Sequence, residues 1–96
     1  MNEQLIDYIQ RTIPVEDLLV GLAEECAELA QAAIKLQRII VGNNPAAIDR
    51  HTAFENITEE IADISLYLDA LYYDKDRVDN IKQEKLNRWV GRLQNR

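Results

Sequence analysis

The sequence predicts an all-α protein, an antiparallel helical bundle of about four helices completed by oligomerisation. Only 3 glycines and 2 prolines interrupt 96 residues, and the apolar residues recur at a period of 3.6 without settling into strand-like alternation. The balance of 47% hydrophobic to 29% charged residues is that of one globular domain, spanning 1–96. A lone domain of this size buries only about 60 to 70% of the surface that its unfolded chain exposes, so a second copy is expected to complete the core.

Leu5, Ile6 and Ile9 set a short first helix from Asn2 to about Arg11. Pro14 cannot continue it and instead opens the second helix, with Glu16 and Asp17 at its positive end. That helix runs to about Val41, where Gly42-Asn43-Asn44-Pro45 stops it. Residues 42–51 form the one sizeable connection, with a helical turn expected around Ala46 to Ile48. Thr52 and Glu55 have capping-box spacing for a third helix reaching about Tyr73. After the turn at Asp74-Lys75-Asp76, with Asp76 as expected N-cap, a fourth helix carries Val78, Ile81, Leu86, Trp89, Val90 and Leu93. Trp89 reads as a core or dimer-interface residue.

A formal charge of -6 is the wrong sign for neutralising phosphates along a nucleic acid, and it repels anionic membranes. No apolar run approaches the length that spans a bilayer. The single cysteine, Cys26, falls on the Leu22/Leu29 face as a small core residue, and the lack of an intrachain disulfide fits a reduced, cytoplasmic setting. His51, the only histidine, falls in the connection and reads as a solvent-facing side chain.

The chemistry is concentrated in the acids. At 100° per residue, Leu18, Leu22, Leu29, Ala33, Leu36 and Ile40 form the seam of the second helix, and Glu25 falls at its edge instead of in the polar strip with Glu24, Glu28, Gln31 and Lys35. In the third helix Ile57, Ile61, Ile64, Leu68 and Leu71 form the seam, flanked by Glu60, with Asp63 three residues on and Tyr67 one turn further. Packed as neighbours, the two helices bring Glu24, Glu25, Glu28, Glu60 and Asp63 towards one place. Two like charges about 4 Å apart repel by roughly 4 kcal/mol at an effective dielectric of about 20, so such a cluster calls for protons or a cation. An all-oxygen donor set suits Mg²⁺, with Mn²⁺ as substitute, whereas di-iron bundles use Glu-x-x-His, which is lacking here.

Gly21-Leu22-Ala23-Glu24-Glu25-Cys26-Ala27-Glu28 followed by Glu60-Ile61-Ala62-Asp63-Ile64-Ser65-Leu66-Tyr67 resembles the Glu-Glu-x-x-Glu and Glu-x-x-Asp pattern of the MazG-like, all-α nucleoside triphosphate pyrophosphohydrolases. The resemblance extends from about Leu18 to Leu93. It implies Mg²⁺-dependent hydrolysis of a (deoxy)nucleoside triphosphate at the α–β bond, giving monophosphate and pyrophosphate for nucleotide-pool house-cleaning, by a homodimer or homotetramer. On that reading Glu25, Glu28, Glu60 and Asp63 hold the metal, and Glu24 or Glu25 handles the attacking water. Lys85, Arg88 and Arg92, a basic stripe on the fourth helix, clamp the phosphates, and Tyr67 bonds a phosphate or sugar. The separation of Glu28 from Glu60 is long for the family and implies an extended 42–51 loop. The alternatives are phosphoribosyl-ATP pyrophosphatase of histidine synthesis, whose lysine and histidine are replaced here by Leu22 and Leu68, and a non-catalytic helical interaction module.

Overall fold

The computed structural model describes residues 3–42 and 48–96, which form four helices and no strand. They are α1 (Glu3–Thr12), α2 (Val15–Val41), α3 (Arg50–Ala70) and α4 (Lys75–Gln94). The expected turn around Ala46 to Ile48 and the Asn43-Asn44-Pro45 stop fall largely outside the described residues. Among the described residues no helix is long and apolar enough to cross a membrane.

Each helix end has a local cause. Pro14 stands just before α2, and its carbonyl accepts from the Asp17 and Leu18 amides. Gly42 ends α2 in the left-handed region, at φ 77°, a conformation open to glycine because no Cβ meets the carbonyl there. The N-cap of α3 is Asp49, whose carboxylate accepts from the Thr52 amide at 2.7 Å. This corrects the expected Thr52–Glu55 capping box: an acid three residues upstream already satisfies the amide, and Thr52 and His51 lie inside the first turn. Asp74 likewise replaces Asp76 as the N-cap of α4, accepting from the Arg77 amide at 2.9 Å. The third helix stops at Ala70, short of Tyr73, because Leu71 turns extended at φ -90°, ψ 143°.

α2 and α3 pack along one another, and α1 lies against α3. The contact is sealed near its ends by Leu18 and Leu36 of α2 and Ala53 and Ala70 of α3, the four buried hydrophobic residues among those described. Half-buried between them are Gly21, Leu22, Glu25, Leu29 and Ala32 from α2, with Ile57, Glu60, Asp63, Ile64 and Tyr67 from α3. The packed face keeps Leu18, Leu22, Leu29 and Leu36 of the expected α2 seam and Ile57 and Ile64 of the expected α3 seam, and widens to the small and acidic positions beside them. Ile40 and Ile61 are more than half exposed, and Cys26 is exposed instead of part of the core, because the packed stripe leans towards those positions. Tyr72, just beyond the end of α3, adds a tie to α1 by donating its hydroxyl to Gln10 Oε1 at 3.0 Å.

α4 packs along neither α2 nor α3. Its apolar residues Leu86, Trp89, Val90 and Leu93 remain 41 to 60% exposed. The radius of gyration is 17.2 Å, against about 12 to 13 Å for a compact domain of this length.

Candidate functional site

Helical spacing carries the acids into the α2–α3 seam. Glu25 lies one turn beyond Gly21 on the packed face of α2, and Glu60 and Asp63 are one turn apart on the packed face of α3. One carboxylate oxygen from each of Glu25, Glu60 and Asp63 lies within 4.8 Å of the other two. All three side chains are half-buried. Oε2 of Glu25 and Oε2 of Glu60 are enclosed from solvent and have no hydrogen-bond partner.

This crowding shows in the proton affinities. The Glu25 carboxyl is pushed up to about 7, first through its carboxyl–carboxyl contact with Glu60, then by desolvation and by the charges of Glu28, Asp63 and Glu60. Glu60 is also raised, first by desolvation, with Glu28 and Asp63 adding charge repulsion. With both groups ionised neither enclosed oxygen meets a donor, so the site favours a retained proton or a cation at that position. The donor set is oxygen alone, which fits a hard divalent ion.

Two pockets flank these carboxylates and differ in character. On one side Glu28 and Glu60 share a polar pocket of about 290 Å³ with Gln31, Lys35 and Asn56, floored by Ala32 and Ala53. On the other, Glu25, Asp63 and Tyr67 border an apolar pocket of about 350 Å³. Ile6, Ile9 and Ile13 close it from the α1 side, and Leu18, Leu66 and Ala70 complete it.

Of the residues expected at a site, Glu25, Glu60 and Asp63 come together, Glu28 stands beside them in the polar pocket, and Tyr67 borders the apolar one. Glu24 is exposed on α2, outside the cluster. Lys85 lies in a depression lined only by α4 residues, among them Lys82, Leu86 and Trp89. Neither pocket beside the carboxylates is lined by α4, so the single chain does not bring Lys85, Arg88 and Arg92 to them. Sequence reasoning missed Lys35 and Asn56 as pocket residues. The signal was present in the spacing, since Asn56 precedes Glu60 by one turn and Lys35 follows Glu28 by two.

Comparison of the chain with protein-family models, curated proteins and solved structures finds no match.

Proposed function

We propose that this chain is a divalent-cation-dependent nucleoside triphosphate pyrophosphohydrolase that acts as a homo-oligomer. The observation that carries the reading is the meeting of Glu25, Glu60 and Asp63 within 4.8 Å, with two enclosed carboxylate oxygens lacking donors. The ordered acid motifs on consecutive helices, which resemble those of the MazG-like enzymes, supply the reaction class.

On this reading Glu25, Glu60 and Asp63, with Glu28 alongside, hold Mg²⁺ or Mn²⁺. A cation held there would supply positive charge to offset the phosphate charge that the acidic cluster would otherwise repel. Water attacks the α phosphorus, the bond from that phosphorus to the bridging oxygen breaks, and the leaving group is pyrophosphate. The water proton passes to Glu25, since Glu24 stands outside the cluster. The apolar pocket beside Tyr67 accepts the nucleoside portion, while Lys35 and Asn56 give the polar pocket a cation and an amide suited to phosphate oxygens. Lys85, Arg88 and Arg92 reach the phosphates from a second copy, whose α4 completes the bundle. The exposed apolar residues of α4 support that arrangement.

Ion-exchange product analysis tests the reaction, using a panel of ribo- and deoxynucleoside triphosphates with Mg²⁺ or with chelator. Monophosphate and pyrophosphate are expected, with metal only. Diphosphate and orthophosphate would move the cleavage to another bond. Absence of turnover together with no effect of Mg²⁺ on the melting temperature would favour the non-catalytic helical module, to which the exposed apolar surface is equally suited.

A further inference from the structure

Gly21 occupies the middle of α2, and its backbone gives no reason for glycine. Among the described residues Gly42 is the one glycine with positive φ, so Gly21 has no left-handed requirement. Its reason is space. A Cβ at Gly21 would stand 2.5 Å from Cζ and the hydroxyl oxygen of Tyr67, and closer still to Cε1. No real Cβ is accommodated at such distances without movement. Gly91, the other glycine within a helix, would meet nothing within 4 Å, so close approach is specific to Gly21.

The ring seated over Gly21 also borders the apolar pocket, beside Glu25 and Asp63. Gly21 precedes Glu25 by one turn of α2, and Tyr67 follows Asp63 by one turn of α3. The missing side chain on one helix therefore sets where the aromatic wall of the pocket stands relative to the carboxylates. We propose that Gly21 is a positioning residue that seats Tyr67 across α2 and so governs how the pocket accepts the nucleoside half of the substrate. This rests on the nucleotide reading given above.

Alanine at this position leaves the helix intact, because alanine is the better helix former. The group that yields is the far end of Tyr67, which moves by rotation about its side-chain torsions. Displacement of the ring changes the shape of the apolar pocket and leaves the acids of the neighbouring turns in place.

Calorimetric titration of the intact Mn²⁺-loaded protein separates these effects. The probes are inorganic tripolyphosphate, which lacks a nucleoside, and the α,β-imido analogues of the four common deoxynucleoside triphosphates. For Gly21→Ala, affinity for the analogue that wild type binds best is expected to fall at least tenfold. Affinities for Mn²⁺ and tripolyphosphate stay within twofold, and Gly91→Ala matches wild type throughout. In a Tyr67→Ala background, adding Gly21→Ala costs no more than a further twofold, since the group through which it acts is gone.

A Gly21→Ala protein that binds the analogue like wild type overturns the proposal and leaves the nucleotide reading standing. The same holds if the loss persists undiminished in the Tyr67→Ala background, or if Gly21→Ala loses its helical circular dichroism, because the helix and not the ring has then yielded. Failure of wild type to bind both tripolyphosphate and every analogue removes the nucleotide reading itself, and this proposal with it.

Discussion

A carboxyl group that is crowded by other carboxylates holds its proton more tightly in the folded chain than in the unfolded one, and stability inherits that difference. Glu25 is raised from 4.5 to about 7, and Glu60 is raised as well. Between about pH 4.5 and 7 the folded state therefore binds more protons than the unfolded state, so stability falls as pH rises through this interval. Asp49 has the opposite sign: its carboxylate is held below 3.8, first by the Thr52 amide, and its contribution disappears only as pH falls past that range. The two windows do not overlap. The melting temperature of metal-free protein is expected to decline from pH 5 to pH 7 and then level, and Glu60→Gln should flatten the decline while raising the value at pH 8. A rising melting temperature across that interval would contradict the coupling between Glu25 and Glu60. On the proposed reading Mg²⁺ would compete with protons for the same oxygens, so its stabilisation should be larger at pH 8 than at pH 5.5, reaching about 2.7 kcal/mol at a hundredfold excess over its dissociation constant. In Glu60→Gln that increment should shrink sharply, and turnover should be lost with it.

At the level of the helices, the carboxylate caps carry separable contributions. Asp49 and Asp74 each satisfy an amide that would otherwise lack a partner, so replacement of either by alanine is expected to cost about 1 kcal/mol. Asp76 lies in the first turn of α4 without being its cap, and Asp76→Ala should cost less, about 0.3 to 0.5 kcal/mol from the helix dipole alone. Thermal unfolding of Asp49→Ala checks the larger effect, a drop of roughly 4 to 8 °C for a domain of this size, and hydrogen exchange along α4 compares Asp74→Ala with Asp76→Ala. The helix pattern was legible in the sequence because Pro14, Gly42 and Asp74-Lys75-Asp76 interrupt an otherwise continuous period. The caps were harder to read, since Asp49 precedes Thr52 and Asp74 precedes Asp76 by only a few residues, and either acid or hydroxyl can serve an amide. The triad was legible through Glu25 and Glu60, acids at the edges of apolar seams. The packed face was legible in part: Leu18, Leu22, Leu29 and Leu36 pack with Ile57 and Ile64 as the period predicts, whereas Ile40 and Ile61 do not. Periodicity weights large apolar residues, whereas α2 and α3 approach through Gly21, Ala32, Ala53 and Ala70, and small residues permit close approach without adding to an apolar stripe.

Taken as a whole, the molecule buries too little of itself to explain its composition. A chain that is 47% hydrophobic has four buried hydrophobic residues among those described, and its 17.2 Å radius of gyration reflects an α4 that packs along neither central helix. Half-exposed Leu86, Trp89 and Leu93 lie on the same helix as Lys85, Arg88 and Arg92. One association would therefore both cover apolar area, at about 25 cal/mol per Å² removed from water, and bring cations towards an acidic cluster that has few of its own. Sedimentation velocity at micromolar concentration is expected to give a mass at least twice the 11.1 kDa of the chain. Trp89→Glu places a charge in the proposed contact and should shift the protein to monomer. The decisive comparison is functional: if α4 of a second copy supplies the phosphate clamp, the Trp89→Glu monomer loses turnover but still binds Mn²⁺ at Glu25, Glu60 and Asp63, because α2 and α3 of one chain assemble that cluster unaided. A fully active monomer would place every required cation within one chain and leave Lys35 of the polar pocket as the side chain to replace next.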